Sequence, residues 1–198
     1  MTFPEYIDLI DRLLAEGKTT GPIQTEANVE FTKLKRHRIN RLENTIALGE
    51  GIKAAATGLT RKMTWLIIAE AWCGDSAPNV PVVEKNATES DNIEARYRLR
   101  DENLDLMDRW LTNGARSIPK LIAIDTSSGK VLGTWGSRPK AARVACEDVK
   151  ANGIDKDTIL EQLQRWYSAD RSMSIQVEFE RLRITVAKDG RLLPLDKY

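Results

Sequence analysis

The sequence predicts an α/β protein: a mixed β-sheet flanked by helices, with an N-terminal helical extension and extra C-terminal helices. Three observations carry that expectation. "MTWLIIAEA", starting at Met63, is a short apolar run rich in branched and aromatic residues, the pattern of a buried strand. "NIEARYRLRDE" alternates Ile93, Ala95, Tyr97 and Leu99 with charged residues, the pattern of a half-buried strand. "KLIAID", the turn "TSSGK" and "VLGTWG" read as two strands joined by a tight turn. The expected organisation is a helical extension over 1–59, a sheet-bearing core over 60–153, and a C-terminal helical extension over 154–198 packed on that core.

The elements follow in order. Pro4 suits the first turn of a helix with Tyr6, Ile7, Ile10, Leu13 and Leu14 on one face. "EGKTTGP" breaks that helix. From about Thr25, the spacing of Val29, Phe31, Leu34, Arg38, Leu42, Thr45 and Ile46 predicts a long helix running to Gly49 or Gly51. It contains the basic run "KLKRHR", which reads as a solvated helix face in preference to an anion-binding patch, because the run is short and acids follow it. A helix is expected from just after Cys73 to about Ala87, and a short one in "NLDLMDRWLTNG" stopped by Gly114. "RPKAARVACEDVKANG" is a helix with Pro139 near its start and Gly153 at its end. "DKDTILEQLQRWYSAD" is another, capped by Asp155 or Asp157, and "SIQVEFERLRITVAK" favours helix. From residue 63 the order is β-α-β-α-β-β-α. Strands separated by helices are expected to run parallel through right-handed crossovers, and the short final turn to give an antiparallel hairpin.

Composition narrows the function classes. Of 198 residues, 41% are hydrophobic and 30% charged, which suits a soluble globular protein. The formal net charge of +1 supplies no field for nucleic acid or an anionic membrane. The start lacks the basic region and unbroken apolar core of a signal peptide, and no apolar run approaches the ~18 residues of a membrane span. Two cysteines, Cys73 and Cys146, are no disulfide framework and point to a reducing cytoplasm. His37 is the only histidine, which removes Cys–His catalysis and argues against a zinc site.

The chemistry concentrates in "AEAWCGDSAPNVPVVEK". Trp72-Cys73-Gly74 closes the first apolar strand, Pro81 lies inside the following helix, "SIPKLIAID" precedes the hairpin, and "GKVLGTWG" ends on a glycine. In that order these features resemble the thioredoxin fold over about residues 60–152, in a branch carrying a WCGD(S) motif. The resemblance implies a cis peptide before Pro119 and a substrate-backbone platform at Ile118 and Pro119. The departures are specific. Ser76 replaces the second redox cysteine, Asp75 replaces the usual proline of the motif, and Ile67 replaces the buried acid usual six residues before Cys73, although Glu70 and Asp75 are close in sequence.

A cysteine at a strand end just before a helix lies near free backbone N–H groups and the positive end of the helix dipole, which stabilise thiolate. Gly74 permits close approach of a partner's backbone. Asp75 opposes the thiolate, and a modest net lowering of the Cys73 pKa is expected. One thiol takes exchange only to the mixed disulfide, since Ser76 is hardly ionised at neutral pH and forms no disulfide. Resolution would need a low-molecular-weight thiol as co-substrate, as in monothiol glutaredoxins, or another protein. No other cofactor and no metal is expected, and an iron–sulfur cluster bridged through Cys73 is disfavoured by the Asp75–Ser76 context. Cys146 shares a helix face with Ala142, Ala145 and Val149 and reads as a packed structural residue on a helix lying against the sheet, while Trp65, Trp110, Trp135 and Trp166 read as packing residues.

The expectation is thus a thiol–disulfide oxidoreductase working by a monothiol mechanism on protein or small-molecule thiols and disulfides. Cys73 is the nucleophile, Ser76 and Asp75 tune it, and Trp72, Gly74, Ile118 and Pro119 meet substrate. The alternative is a non-catalytic binding module that holds a protein in the Trp72/Pro119 groove.

Overall fold

The computed structural model describes residues 1–151 and 155–189. Helix α1, Phe3–Ala15, opens on a capping box: Thr2 Oγ1 accepts from the Glu5 N–H and the Glu5 carboxylate accepts from the Thr2 N–H. Its Tyr6, Ile7 and Ile10 are buried. Helix α2, Glu26–Thr45, starts at Thr25, whose hydroxyl accepts from the Asn28 N–H. It stops at Thr45, short of the expected Gly49, because Ile46 turns extended, and a separate α3 covers Glu50–Thr57. The face of α2 also differs from the expected one. Val29, Thr32, Lys35 and Ile39 point inward, leaving Phe31 52% and Leu34 44% exposed.

Strand β1 is Met63–Ala69, α4 is Ser76–Thr88 with Pro81 inside it, and β2 is Ile93–Leu99. The segment expected as one helix before Gly114 makes only the single turn α5, Leu104–Met107. Beyond it, Thr112 and Ala115 exchange backbone hydrogen bonds of 2.9 and 3.0 Å around Asn113-Gly114, both at positive φ. Asn-Gly favours such a two-residue turn, so the glycine closes a turn and does not cap a helix. Strands β3, Lys120–Asp125, and β4, Val131–Gly136, form the expected hairpin. Helices α6, Lys140–Ala151, α7, Lys156–Asp170, and α8, Met173–Asp189, complete the described chain. The expected stop at Gly153 lies outside the described residues.

The mixed sheet has the order β2-β1-β3-β4 and is flanked by helices. β1 and β2 are parallel, with Ala69 opposite Leu99. β3 is antiparallel to β1, with Lys120 opposite Ile68. The chain therefore re-enters the sheet at the end where β2 leaves it, which corrects the expectation of a second parallel crossover. The main core joins Tyr6 and Ile10 of α1, Ile52 of α3, Trp65 and Ile67 of β1, Val80 and Val83 of α4, and Phe179 of α8. Tyr6 stacks on Tyr97, their ring centres 5.5 Å apart. A smaller cluster of Ile68, Cys73, Met107, Ile118 and Ile122 covers part of the other face. Cys146 is buried, but with Ala142 and Leu163 in a cluster between α6 and α7, separate from those on the sheet.

Candidate active site

Strand β1 delivers the chain to a tight turn in which the Cys73 N–H donates to the Glu70 carbonyl at 3.2 Å, and α4 begins three residues later at Ser76. The Cys73 thiol donates to the Ile118 carbonyl at 3.4 Å, and the Ile118–Pro119 peptide is cis. Cys73 is thus brought to Ile118 and Pro119, which lie 45 residues or more away in sequence. Gly136, whose peptide to Ser137 is also cis, packs on the same segment at φ 129°. A Cβ there would stand 2.2 Å from the Pro119 carbonyl oxygen, so only glycine fits.

Burial and charge set the state of the thiol. Cys73 is only 7% exposed, and this burial, followed by the Asp75 carboxylate, pushes its pKa up. The Ser76 hydroxyl and the N–H groups of Ser76 and Asp75 act in the opposite direction. The expected lowering is therefore reversed: the helix-start donors are present, but desolvation outweighs them. Ser76 is itself buried, and its Oγ makes no hydrogen bond of normal geometry among the described residues.

Asp75 has partners that its position in sequence does not announce. Arg138 Nε lies 2.8 Å from both carboxylate oxygens and Nη2 2.8 Å from one, and the Tyr167 hydroxyl donates to Oδ1 at 2.9 Å. Asn79 Nδ2 donates to the Asp75 carbonyl at 2.8 Å and to the Tyr167 hydroxyl at 3.0 Å. Burial works against the Arg138 guanidinium, but Asp75 outweighs it and holds the pKa above the ordinary value. Tyr167 is pushed well up, first by burial and then by Asp75.

The corner is roofed by the helical segments. Lys35 of α2, 8% exposed, and Gln164 of α7 both come within 3.9 Å of the position a Gly74 Cβ would take, and Gln164 Nε2 donates to the Gly74 carbonyl. Burial and then Arg38 push the Lys35 pKa down, while Cys73 and Asp75 pull it up. Trp72 is partly buried, with the Arg100 guanidinium 4.9 Å from its ring centre. The loop after α1 closes this side. Thr20 Oγ1 accepts from the Ala71 N–H, and Gly21, at φ 78°, leaves no room for a Cβ beside Asp101 and 3.5 Å from Trp72 Nε1. Glu70 is buried; Oε1 accepts from the Asp101 N–H at 2.9 Å, and burial raises its pKa.

Lys35, Arg138, Gln164 and Tyr167 are absent from the sequence-based set. Lys35 had a signal: with Val29, Thr32 and Ile39 it completes a helical stripe inside the basic run. The other three come from helices or loops 63 to 92 residues away from the residues they hold, and nothing local marks them. Among the described residues, no group of three or more His, Cys, Asp and Glu is placed to hold a metal, and no helix is long and apolar enough to cross a membrane.

Comparison with known proteins agrees with this geometry. The sequence model of a family described as Thioredoxin matches residues 21–150, well over half of the chain. No curated protein sequence matches. Among solved structures, an HIV epitope-scaffold is similar with a TM-score of 0.55 at 15% identity, over 91% of this chain and 96% of that one. A protein of unknown function from Pseudomonas aeruginosa is similar with a TM-score of 0.52 at 16% identity, over 85% of this chain and 96% of that one. Those two likenesses concern the fold alone. With the family match across the sheet, the Cys73 turn and the Ile118–Pro119 segment, this chain belongs to the thioredoxin family.

Proposed function

We propose that the protein carries out thiol–disulfide exchange through Cys73 by a one-thiol mechanism. The observation that carries this reading is the contact of Cys73 Sγ with the Ile118 carbonyl, 3.4 Å, beside the cis Ile118–Pro119 peptide. That contact sets the sulfur beside Ile118 and Pro119, the segment to which the resemblance assigns the substrate backbone; both residues are buried, so an extended substrate reaches them only if the covering groups move aside. Trp72 and Gly74 border the same corner. The Cys73 thiolate attacks one sulfur of a substrate disulfide; the substrate S–S bond breaks, a Cys73 mixed disulfide forms, and the other sulfur leaves as a thiolate. Ser76 has no sulfur with which to continue. A low-molecular-weight thiolate then attacks the mixed disulfide, leaves as part of a new disulfide, and restores the Cys73 thiolate. One disulfide is consumed and one is made. Such a cycle depends on a supply of reduced thiol, which fits the cytoplasm. Ser76 and the helix-start N–H groups support the thiolate, and Arg138 offsets the opposing charge of Asp75.

The test is intact-mass detection of a mixed disulfide after exposure to glutathione disulfide at mildly alkaline pH. The expected adduct sits on Cys73, is absent in Cys73→Ala, and is discharged by added thiol. In Ser76→Cys it should resolve internally. Failure of folded protein to form it, when unfolded protein does, overturns the proposal. A second reading, a binding module without turnover, is favoured by the near-complete cover of the thiol and by the stacking of Arg100 on Trp72. Under that reading, partner binding survives Cys73→Ala.

A further inference from the structure

The basic run of α2 divides in the fold. Arg36 turns to Asp11, with Nε 2.7 Å from Oδ1, whereas Arg38 faces a cavity between α2, α4, α7 and α8. The cavity holds about 440 Å³, within the roughly 300–1,000 Å³ of small-molecule sites. Arg38, Arg41 and Arg171 line it. Burial and the neighbouring Arg41 both act against the Arg38 charge, so like charges are held together in a half-covered site. Arg38 donates only to the neutral Gln164 side chain, at 2.5 Å, and Arg41 and Arg171 make no side-chain ion pair among the described residues. The one described acid in the wall, Asp170, is occupied by the N–H and hydroxyl of Ser174 at the start of α8. The rest of the lining includes the apolar Leu42, Ile46 and Ile175.

We propose that this cavity binds a small organic anion, its carboxylate or phosphate seated on Arg38, Arg41 and Arg171 and its apolar body against Leu42, Ile46 and Ile175. Guanidinium groups take such anions through paired, charge-assisted hydrogen bonds, and a ligand of this kind relieves the repulsion between Arg38 and Arg41. An uncharged ligand would leave that repulsion in place, and a bare inorganic ion would leave the apolar wall uncovered. Neither Cys73 nor Pro119 lines the cavity, so it is a separate site, although Gln164 and Tyr167 of its wall also hold Gly74 and Asp75 beside the thiol.

The test is calorimetric titration of the full chain at low ionic strength with phenylacetate, phenyl phosphate and the neutral phenylacetamide. At least one of the two anions should bind saturably, and phenylacetamide about tenfold or more weaker. Arg41→Gln and Arg171→Gln should each weaken the anion about tenfold. Arg98→Gln, an exposed arginine on β2 outside the cavity, should leave it unchanged. Equal binding of acid and amide, equal binding by the cavity variants and Arg98→Gln, or no binding of either anion overturns the proposal. Cys73→Ala should bind the anion normally, so the result is separate from the fate of the exchange reaction.

Discussion

Cys73 stands where opposing influences meet. Donors at the start of α4 favour its thiolate, while burial and Asp75 favour the thiol. Thiolate is the reactive form, so a raised pKa means slow alkylation at neutral pH. The Cys73 rate with iodoacetamide should be below that of free cysteine at pH 7 and climb as pH passes above the ordinary cysteine range. A plateau reached below that range contradicts the balance described. Lys35 adds a cation at the same corner. Lys35→Gln should slow the alkylation about threefold at a given pH by removing a charge that favours the thiolate. Cys73 and its serine neighbour are legible from local spacing. The direction of the pKa is not, because Cys73 is buried among Met107, Ile118 and Ile122, which reach the turn from distant parts of the chain.

At the scale of elements, the hairpin and the turn before α4 act together. β4 ends on Gly136, pressed against the Pro119 carbonyl, and β3 begins at Lys120 immediately after it. Gly136→Ala requires both a disfavoured positive φ and displacement of the Pro119 backbone. It should cost about 3 kcal/mol or more in urea denaturation and alter the Cys73 alkylation rate. An unchanged unfolding midpoint would show that the contact is easily relieved. The hairpin was readable from two apolar runs around a turn. The lone helical turn α5 was not, because an Asn113-Gly114 turn and a helix-stopping glycine leave similar marks in sequence. α2 shows the converse problem. Phe31 and Leu34 advertise an inward face, yet Thr32 and Lys35 turn in, where Thr19 and the Gly74 turn offer polar company.

At the scale of the molecule, α8 closes the core laid down by β1 and β4. Phe179 is fully buried between Trp65 and Trp135, with ring centres 5.4 and 5.3 Å away. Phe179→Ala should lower stability by about 3–5 kcal/mol, with a red-shifted tryptophan emission as Trp65 and Trp135 gain water. A loss below about 1 kcal/mol would mean that α8 is only loosely docked. The sequence by itself determined the α/β class, the hairpin, the capped helices and the Cys73–Ser76 turn. Each of these is written in neighbouring residues, as a period of two or of 3.6, a cap or a turn residue. Only the tertiary structure decided that β3 runs against β1, that Asp75 is held by Arg138 and Tyr167, and that the thiol is covered. Strand direction, ion pairing and desolvation depend on which distant segments share a site, and that is settled when the chain packs.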